Sequence, residues 1–386
     1  MIRVGFVLTF EGTGWLGGVS YFRNLLSALV SLPRPRITPV VLAGTKTDEA
    51  FSDQFPNVPL IRSVLLDWRR PAWVVRRITA ELLGRDIGLE KFLRCHNIQA
   101  SSHQGFFGGL GTLPVFGWIP DFQEHHLPQF FSGAELHARA KKRSLFCRVS
   151  STLILSSSAA KHDLAELNPR CAKKARILHF VANIKVPRQE QIAQAICRFR
   201  VNAPYFYLPN QFWQHKNHGL VVEALRILKD RGTFACVIAS GNAWDPRLPG
   251  HFGELMKHVQ QAKVEDRFLT IGVIAYLEVL ALMAGALAVI NPSLFEGWST
   301  TVEEAKSMGK VVLLSDIAVH REQAPERGCY FPPNSAEDLA NLMAEVLANH
   351  DSAVDQKHMS TAQESLPARL QKFALEYEDI VLASMG

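Results

Sequence analysis

The sequence predicts an α/β protein made of two doubly wound, Rossmann-like domains. Three observations lead there. At 386 residues the chain exceeds what one ordinary core accommodates. Short apolar runs alternate with segments of helical period, the pattern of parallel sheets covered by helices on both faces. That alternation lapses once, in "HFVANIKVPRQEQI", and then restarts. The expected division is therefore 1–182, 183–366 and a closing helical segment, 367–386.

In the first half, "RVGFVL" reads as a buried opening strand. One early Arg and a short apolar run give it only a loose likeness to a signal peptide, and no small-residue cleavage site follows. The helix "SYFRNLLSALVSL" comes next, with Phe22, Leu25, Leu26 and Leu29 on one face. "ITPVVLAG", "LPVFGWIP" and "STLILSSS" read as strands, and "AWVVRRITAELLGRDIGLEKFLRCHN" as one or two helices. After the break, strands and helices alternate strictly: "APYFYLP", "HGLVVEALRILKDRG", "FACVIASG", "GELMKHVQQAKV", "RFLTIGVI", "YLEVLALMAG", "LAVINPS", "TTVEEAKSMG" and "VVLLS". Several of these helices stop at Gly, as C-caps do. "ARLQKFALEYEDIVLASMG" is a final amphipathic helix with no strand behind it. Twin sheets of this kind create a cleft at their carboxyl ends, where ligands of doubly wound folds bind.

Composition narrows the function classes. The chain is 47% hydrophobic and 20% charged, and no run of 18 apolar residues suggests a spanning helix. Six cysteines lie far apart without a C-x-x-C pair, which predicts reduced thiols, a cytoplasmic setting and no zinc framework. The net charge of +6 admits nucleic acid, an anionic membrane surface or a phosphorylated substrate.

The most informative stretch is "NPSLFEGWSTTVEEAKSMGKVVLLS", residues 291–315. Pro292 ends a buried strand. A helix starts near Ser299 or Thr300, and Thr300 with Glu303 fits a capping box. The segment of Gly297, Trp298, Ser299, Thr300 and Thr301 then offers backbone amides at the positive end of a helix, a seat for phosphate. Glu304, one turn in, has two acceptor oxygens that suit the vicinal hydroxyls of a ribose. Glu296, in the loop before the helix, lies where a sugar would project from the phosphates. The plainer reading makes Glu303 and Glu304 a solvated helix start and Glu296 an exposed acid. Spacing alone leaves both readings open.

This E-x7-E block, with its preceding P-S-x-F and following E-A segment and strand, resembles the donor-site motif of GT-B glycosyltransferases, most closely the retaining family 4 group. The common form has Phe-Gly-Leu-Pro after Glu-Gly, where this chain has Trp298, Ser299, Thr300 and Thr301. Other segments add to the resemblance. "YLPNQFWQHKNHGLVVEAL" is similar to the family's other donor segment, which makes Lys216 the cation on the donor pyrophosphate. Many members carry an Arg about five residues earlier, where Gln211 stands here. Gly17 and Gly18, before the first helix, can bring backbone amides close to a ligand, and family members have a similar pair at the cleft floor. Their context is not G-x-G-x-x-G, so a nicotinamide site is not indicated. The resemblance also puts Asp121, His125 or His126 near sugar and acceptor, with only one of the adjacent histidines facing the cleft. It places the base against the backbone near Gly272, and it matches "SSSAAKHDL", whose hydroxyls also serve as helix caps.

Residues 66–85, "LDWRRPAWVVRRITAELLGR", bring five arginines and two tryptophans together. They read either as an anionic-membrane contact or as an ordinary helix with snorkelling arginines. Nucleic acid is not an expected partner, because no recognised module accompanies the charge.

Taken together, the resemblance implies a retaining hexosyltransferase. It would move a hexose from a UDP- or GDP-linked donor to a saccharide or lipid-linked acceptor, in cell-surface polysaccharide or glycolipid synthesis. The setting would be cytoplasmic or peripheral on the inner membrane face. Glu296, Lys216 and the 121–126 loop would act at the reacting sugar, by front-face attack assisted by the leaving phosphate. No cofactor and no metal are expected, since Lys216 and helix amides supply positive charge. The last helix would cross back to the N-terminal domain. A nucleotide-sugar epimerase, another GT-B enzyme, or a nucleic-acid binder are the alternatives.

Overall fold

A computed structural model describes residues 1–8, 16–47, 53–201 and 204–385, except for the side chain of Leu16. The chain divides into two compact units. One comprises Met1–Ala182 with Ala368–Gly386, the other Asn183–Pro367.

The first unit contains a parallel sheet of β1 (Ile2–Val7), β2 (Ile37–Ala43), β3 (Leu60–Arg62), β4 (Ala100–His103), β5 (Val115–Ile119), β6 (Thr152–Leu155) and β7 (Ala175–Ile177). Their order is β3-β2-β1-β4-β5-β6-β7, so the winding reverses between β1 and β4. Strands and helices pack through Val40, Leu42, Leu89, Leu93, Leu153 and Leu155. The expected strands appear as β1, β2, β5 and β6. β4 escaped sequence reading because "ASSH" is polar, yet Ser101, Ser102 and His103 are fully buried. The 71–96 segment forms two helices, Pro71–Leu83 and Ile87–Cys95, broken by Gly84 at a φ of 66°.

The second unit repeats the plan. β8 (Tyr205–Leu208), β9 (Cys236–Ala239), β10 (Phe268–Thr270), β11 (Val289–Asn291), β12 (Val312–Ser315) and β13 (Gly328–Phe331) form a parallel sheet in the order β10-β9-β8-β11-β12-β13. Its reversal lies between β8 and β11, where Val289 pairs with Tyr207. Phe206, Leu208, Val221, Leu225, Val237 and Ile290 contribute to its core.

Two expectations need correction. Cys147 and Cys171 are joined in a disulfide, with Cα atoms 5.5 Å apart. Their 24-residue separation in sequence concealed the contact, which the fold makes by setting the end of helix Gly133–Val149 beside the turn Pro169–Ala172. The thiol argument for a cytoplasmic setting therefore loses two of its six cysteines; Cys95, Cys197, Cys236 and Cys329 are free. The last helix is also longer than expected. It runs Ser352–Leu382 with Pro367 inside it.

Past Pro367 this helix belongs to the first unit. The buried Glu378 carboxylate accepts from the Arg36 and Ile37 amides at 2.7 and 3.1 Å and from Arg36 Nε at 2.8 Å. Tyr377 donates to Ser102 Oγ at 2.7 Å, and Phe373 packs edge-on against Phe180. Among the described residues, no helix is long and apolar enough to cross a membrane.

Candidate functional site

The winding reversal in the second unit places two loops side by side. One follows β8, the other β11, and these are the positions at which a doubly wound sheet receives a ligand. They are laced together. Leu294 N donates to the His215 carbonyl at 2.8 Å, and Asn217 Nδ2 reaches the Pro292 carbonyl at 3.2 Å. Asn217 adopts the left-handed conformation (φ 57°) that turns the short 3-10 helix Gln214–Lys216 into the helix His218–Asp230.

This lacing brings Lys216 and Glu296 into contact, Nζ to Oε1 at 2.6 Å, with side chains 14% and 10% exposed. Ser293 Oγ donates to the same oxygen at 2.7 Å. Burial alone would push the Glu296 carboxyl up, but the Lys216 ammonium, with His320 and His215 nearby, outweighs it and holds the carboxyl below its ordinary value. His215 is buried beside Lys216. Burial first, and then that positive charge, drive its imidazole down to about 3.

The helix after β11 is Thr300–Met308, ended by Gly309 in the left-handed region. Its N-cap is Ser299, so the expected Thr300–Glu303 capping box does not form. Ser299 Oγ accepts from Val302 N at 3.4 Å and from Asn291 Nδ2 at 2.8 Å. The glutamate's place in the box is taken by Gln323, which lies 24 positions away. Its Oε1 accepts from Ser299 N at 3.1 Å, while Nε2 donates to the Ser299 carbonyl at 3.0 Å and to Glu303 at 3.2 Å. Ser299 is thus fully engaged as a cap, and the anion seat expected over 297–301 narrows to the other amides of that segment. Thr301 ties the helix start to the β8 loop, its Oγ1 donating to the Pro209 carbonyl at 3.3 Å. Gly297, Trp298 and Thr300 are all partly exposed beside it.

Glu304 is buried, not solvated, and accepts from the Tyr276 hydroxyl at 2.9 Å. Tyr276 opens the helix Tyr276–Gly285, which follows the Gly272 loop. Gly272 has a φ of 69°, and its carbonyl accepts from Gly241 N at 2.9 Å. Gln211 Oε1 likewise accepts from Asn242 N at 2.7 Å, which commits this end of the side chain to holding the loop after β9.

In the first unit, Gly17 and Gly18 lie in the first turn of the helix Leu16–Val30 rather than ahead of it. Residues 9–15 of the glycine-rich segment lie outside the described residues. Asp121 lines a cavity of about 340 Å³ at the end of β5, with Trp118, Glu124, Arg139, Lys142 and Arg143. The two histidines do not diverge as expected. The segment Gln123–His126 is a single helical turn, and both rings reach the helix Ser158–Leu167. His126 meets Asp163 at 2.8 Å and His125 meets Glu166 at 3.4 Å. In "SSSAAKHDL", Ser157 caps that helix through Ala160 N at 3.1 Å. Among the described residues, no group of three or more His, Cys, Asp and Glu side chains could hold a metal ion.

Residues 190–363 match the family of glycosyl transferases group 1. The match covers most of the second unit, Asn183–Pro367. Similar solved structures have the GT-B fold seen here in its two units. Anabaena HepE, solved with UDP and glucose, is 15% identical over 98% of this chain and 100% of its own, with a TM-score of 0.72. A glycosyltransferase from Rickettsia africae is 15% identical over 98% of both chains, with a TM-score of 0.67. WaaG, a glycosyltransferase involved in lipopolysaccharide biosynthesis, is 14% identical over 96% of this chain and 99% of its own, with a TM-score of 0.63. No curated relative matches the sequence itself.

Three residues escaped sequence reading. Gln323 and Tyr276 carried no local signal, because each acts on a residue 24 or 28 positions away. The third is His103, at the winding reversal of the first unit. It is buried, with a φ of 72°, and lies between Ser102 Oγ and Tyr21 Oη, each at 2.8 Å. Burial drives its imidazole down to about 3, so it sits there neutral.

Proposed function

We propose that this glycosyltransferase moves a hexose from a UDP- or GDP-linked donor to an acceptor hydroxyl, with retention at the anomeric carbon. The observation that carries this reading is the convergence at the β8/β11 reversal of one ammonium, a helix amide end and two buried carboxylates. Lys216 and the remaining amides of 297–301 take the diphosphate, the group on which negative charge grows as the C1–O bond breaks. Glu304, oriented by Tyr276, accepts from the ribose hydroxyls. Glu296 faces the transferred sugar and releases Lys216 to the phosphate when the donor enters. Gly272 and its neighbours present backbone to the base. The acceptor oxygen attacks from the leaving-group side and its proton passes to the departing phosphate. Lys216 and the amides provide the positive charge in this scheme, so no metal is called on. The cavity at Asp121 in the first unit takes the acceptor, a saccharide or lipid-linked sugar of the kind used in cell-surface glycan synthesis on the cytoplasmic side of the membrane. WaaG's role in lipopolysaccharide biosynthesis supports that setting by analogy.

Thermal stabilisation by UDP, GDP, ADP and TDP tests the donor site, since a product that binds only the folded chain raises its melting temperature. One base should stand out, and Glu304→Ala should weaken the stabilisation by that nucleotide while the unliganded protein still unfolds cooperatively. Undiminished stabilisation would end the ribose assignment. Incubation with donor alone separates transfer from epimerisation, because an epimerase alters the sugar without an acceptor.

A further inference from the structure

Helix Pro71–Leu83 is amphipathic the wrong way round. Its buried positions are Arg76 and Ala80. Arg76 Nε donates to both Asp86 carboxylate oxygens at 2.8 and 2.9 Å, its guanidinium also reaches the Gly105 carbonyl, and it lies 4.5 Å above the Phe107 ring. A charged anchor thus holds the inner face. The apolar residues point out: Val75 is 59% exposed, Ile78 52% and Leu82 78%. At spacings of three and four they form one stripe. Leu83 on the helix, with Val64 and Trp68 just before it, extends the exposed apolar surface. A contiguous exposed apolar patch is the informative exception on a protein surface, and it marks an interaction site.

The border of the patch is basic. Arg69, Arg70 and Arg77 are exposed and make no ion pair among the described residues. Arg69 stacks 4.1 Å over Trp68, and Arg77 lies 5.5 Å over Trp73. The one acid on the helix, Glu81, is already paired with Lys141 at 2.8 Å. We propose that this face is a docking surface for an anionic lipid bilayer, with the helix lying in the interface. Ile78, Leu82 and Trp68 would enter the acyl boundary, and the three guanidiniums would sit among the headgroups. Charge selects this occupant. A second copy would bring two such basic borders into one interface, with Glu81, the acid on each helix, already held by Lys141. The inference does not depend on the donor assignment, because its readout is partition onto lipid and not transfer.

Co-sedimentation of the full chain with phosphatidylcholine vesicles, with and without phosphatidylglycerol, tests it. The protein should partition onto the phosphatidylglycerol vesicles and be released by salt. Arg69→Ala, Arg70→Ala and Arg77→Ala together should weaken partition about a hundredfold, from roughly fivefold per arginine. Ile78→Glu with Leu82→Glu should abolish it. Both sets lie on exposed positions, and an unchanged unfolding transition confirms that each variant is folded. Equal binding to both vesicle types, no binding to either, or unaltered partition of the Ile78/Leu82 variant would overturn the proposal. So would self-association in the absence of lipid that this variant removes, which would identify the occupant as a second copy.

Discussion

Lys216→Ala tests the site and the physics that assembles it. The wild-type pair is nearly enclosed, with Nζ and Oε1 2.6 Å apart. Removing the ammonium leaves the Glu296 carboxylate buried with Ser293 as its remaining close donor. Breaking a buried pair from one side costs about 3–5 kcal/mol; the residual exposure of both side chains favours the lower end, about 3 kcal/mol. For a unit of this size that corresponds to a fall in melting temperature of roughly 6–12 °C. The loss should depend on pH. In the wild type, Lys216 holds the Glu296 carboxyl below its ordinary 4.5, so the group contributes stability above that pH and loses it as acid titrates the folded form. In the variant, burial acts unopposed and raises the carboxyl. The gap to wild type is then widest at neutral pH and closes as the carboxyl protonates. Urea unfolding of the wild type, Lys216→Ala, Glu296→Gln and the double variant closes a mutant cycle. The double variant should recover most of the loss. If its loss equals the sum of the two single losses, the two groups are uncoupled and the reasoning fails.

Acid should also destabilise the fold through its histidines. His103, His215 and His218 are each held down to about 3, chiefly by burial, while the unfolded chain titrates near 6.5. Stability is then complete above about pH 7 and declines as the pH falls below 6.5, by about 2 kcal/mol per histidine at pH 5. A denaturation midpoint flat from pH 7.5 to 5 would contradict these environments. Reducing the Cys147–Cys171 bridge, or making Cys171→Ser, opens a 24-residue loop and should cost about 3 kcal/mol by the chain-entropy relation. Thiol titration of the unfolded, unreduced chain should find only the four free cysteines; six reactive thiols would show that the bridge does not form.

How much of this was legible depended on the range of the interaction. Strands with continuous apolar runs, such as β8 and β12, announced themselves, as did the break near residue 182 and the glycine that ends Thr300–Met308. β4 did not, because its buried serines and His103 satisfy their polar atoms only through contacts the sequence does not show, such as that of Ser102 with Tyr377. In the site, the helix start after Pro292 could be read locally, but its real partner, Gln323, could not. The Lys216–Glu296 contact spans 80 positions; the resemblance set both residues at one donor site without pairing them. The paired histidines misled because adjacent side chains diverge on a strand but need not on one helical turn ended by Leu127. On Pro71–Leu83, the sequence showed five arginines and two tryptophans close together. It could not reveal that Asp86, ten positions from Arg76, holds that arginine inward and leaves Val75, Ile78 and Leu82 outside.

The latch at Glu378 has a bearing on the order of synthesis. The amides at the start of β2 emerge from the ribosome early, but the carboxylate that receives them comes only after the whole of Asn183–Pro367 has been translated. The later-coded unit can therefore finish folding first, reversing the usual amino-terminal precedence of nascent domains. A nonsense codon just beyond Pro367 would spare the entire second unit and still strand the other one unfinished.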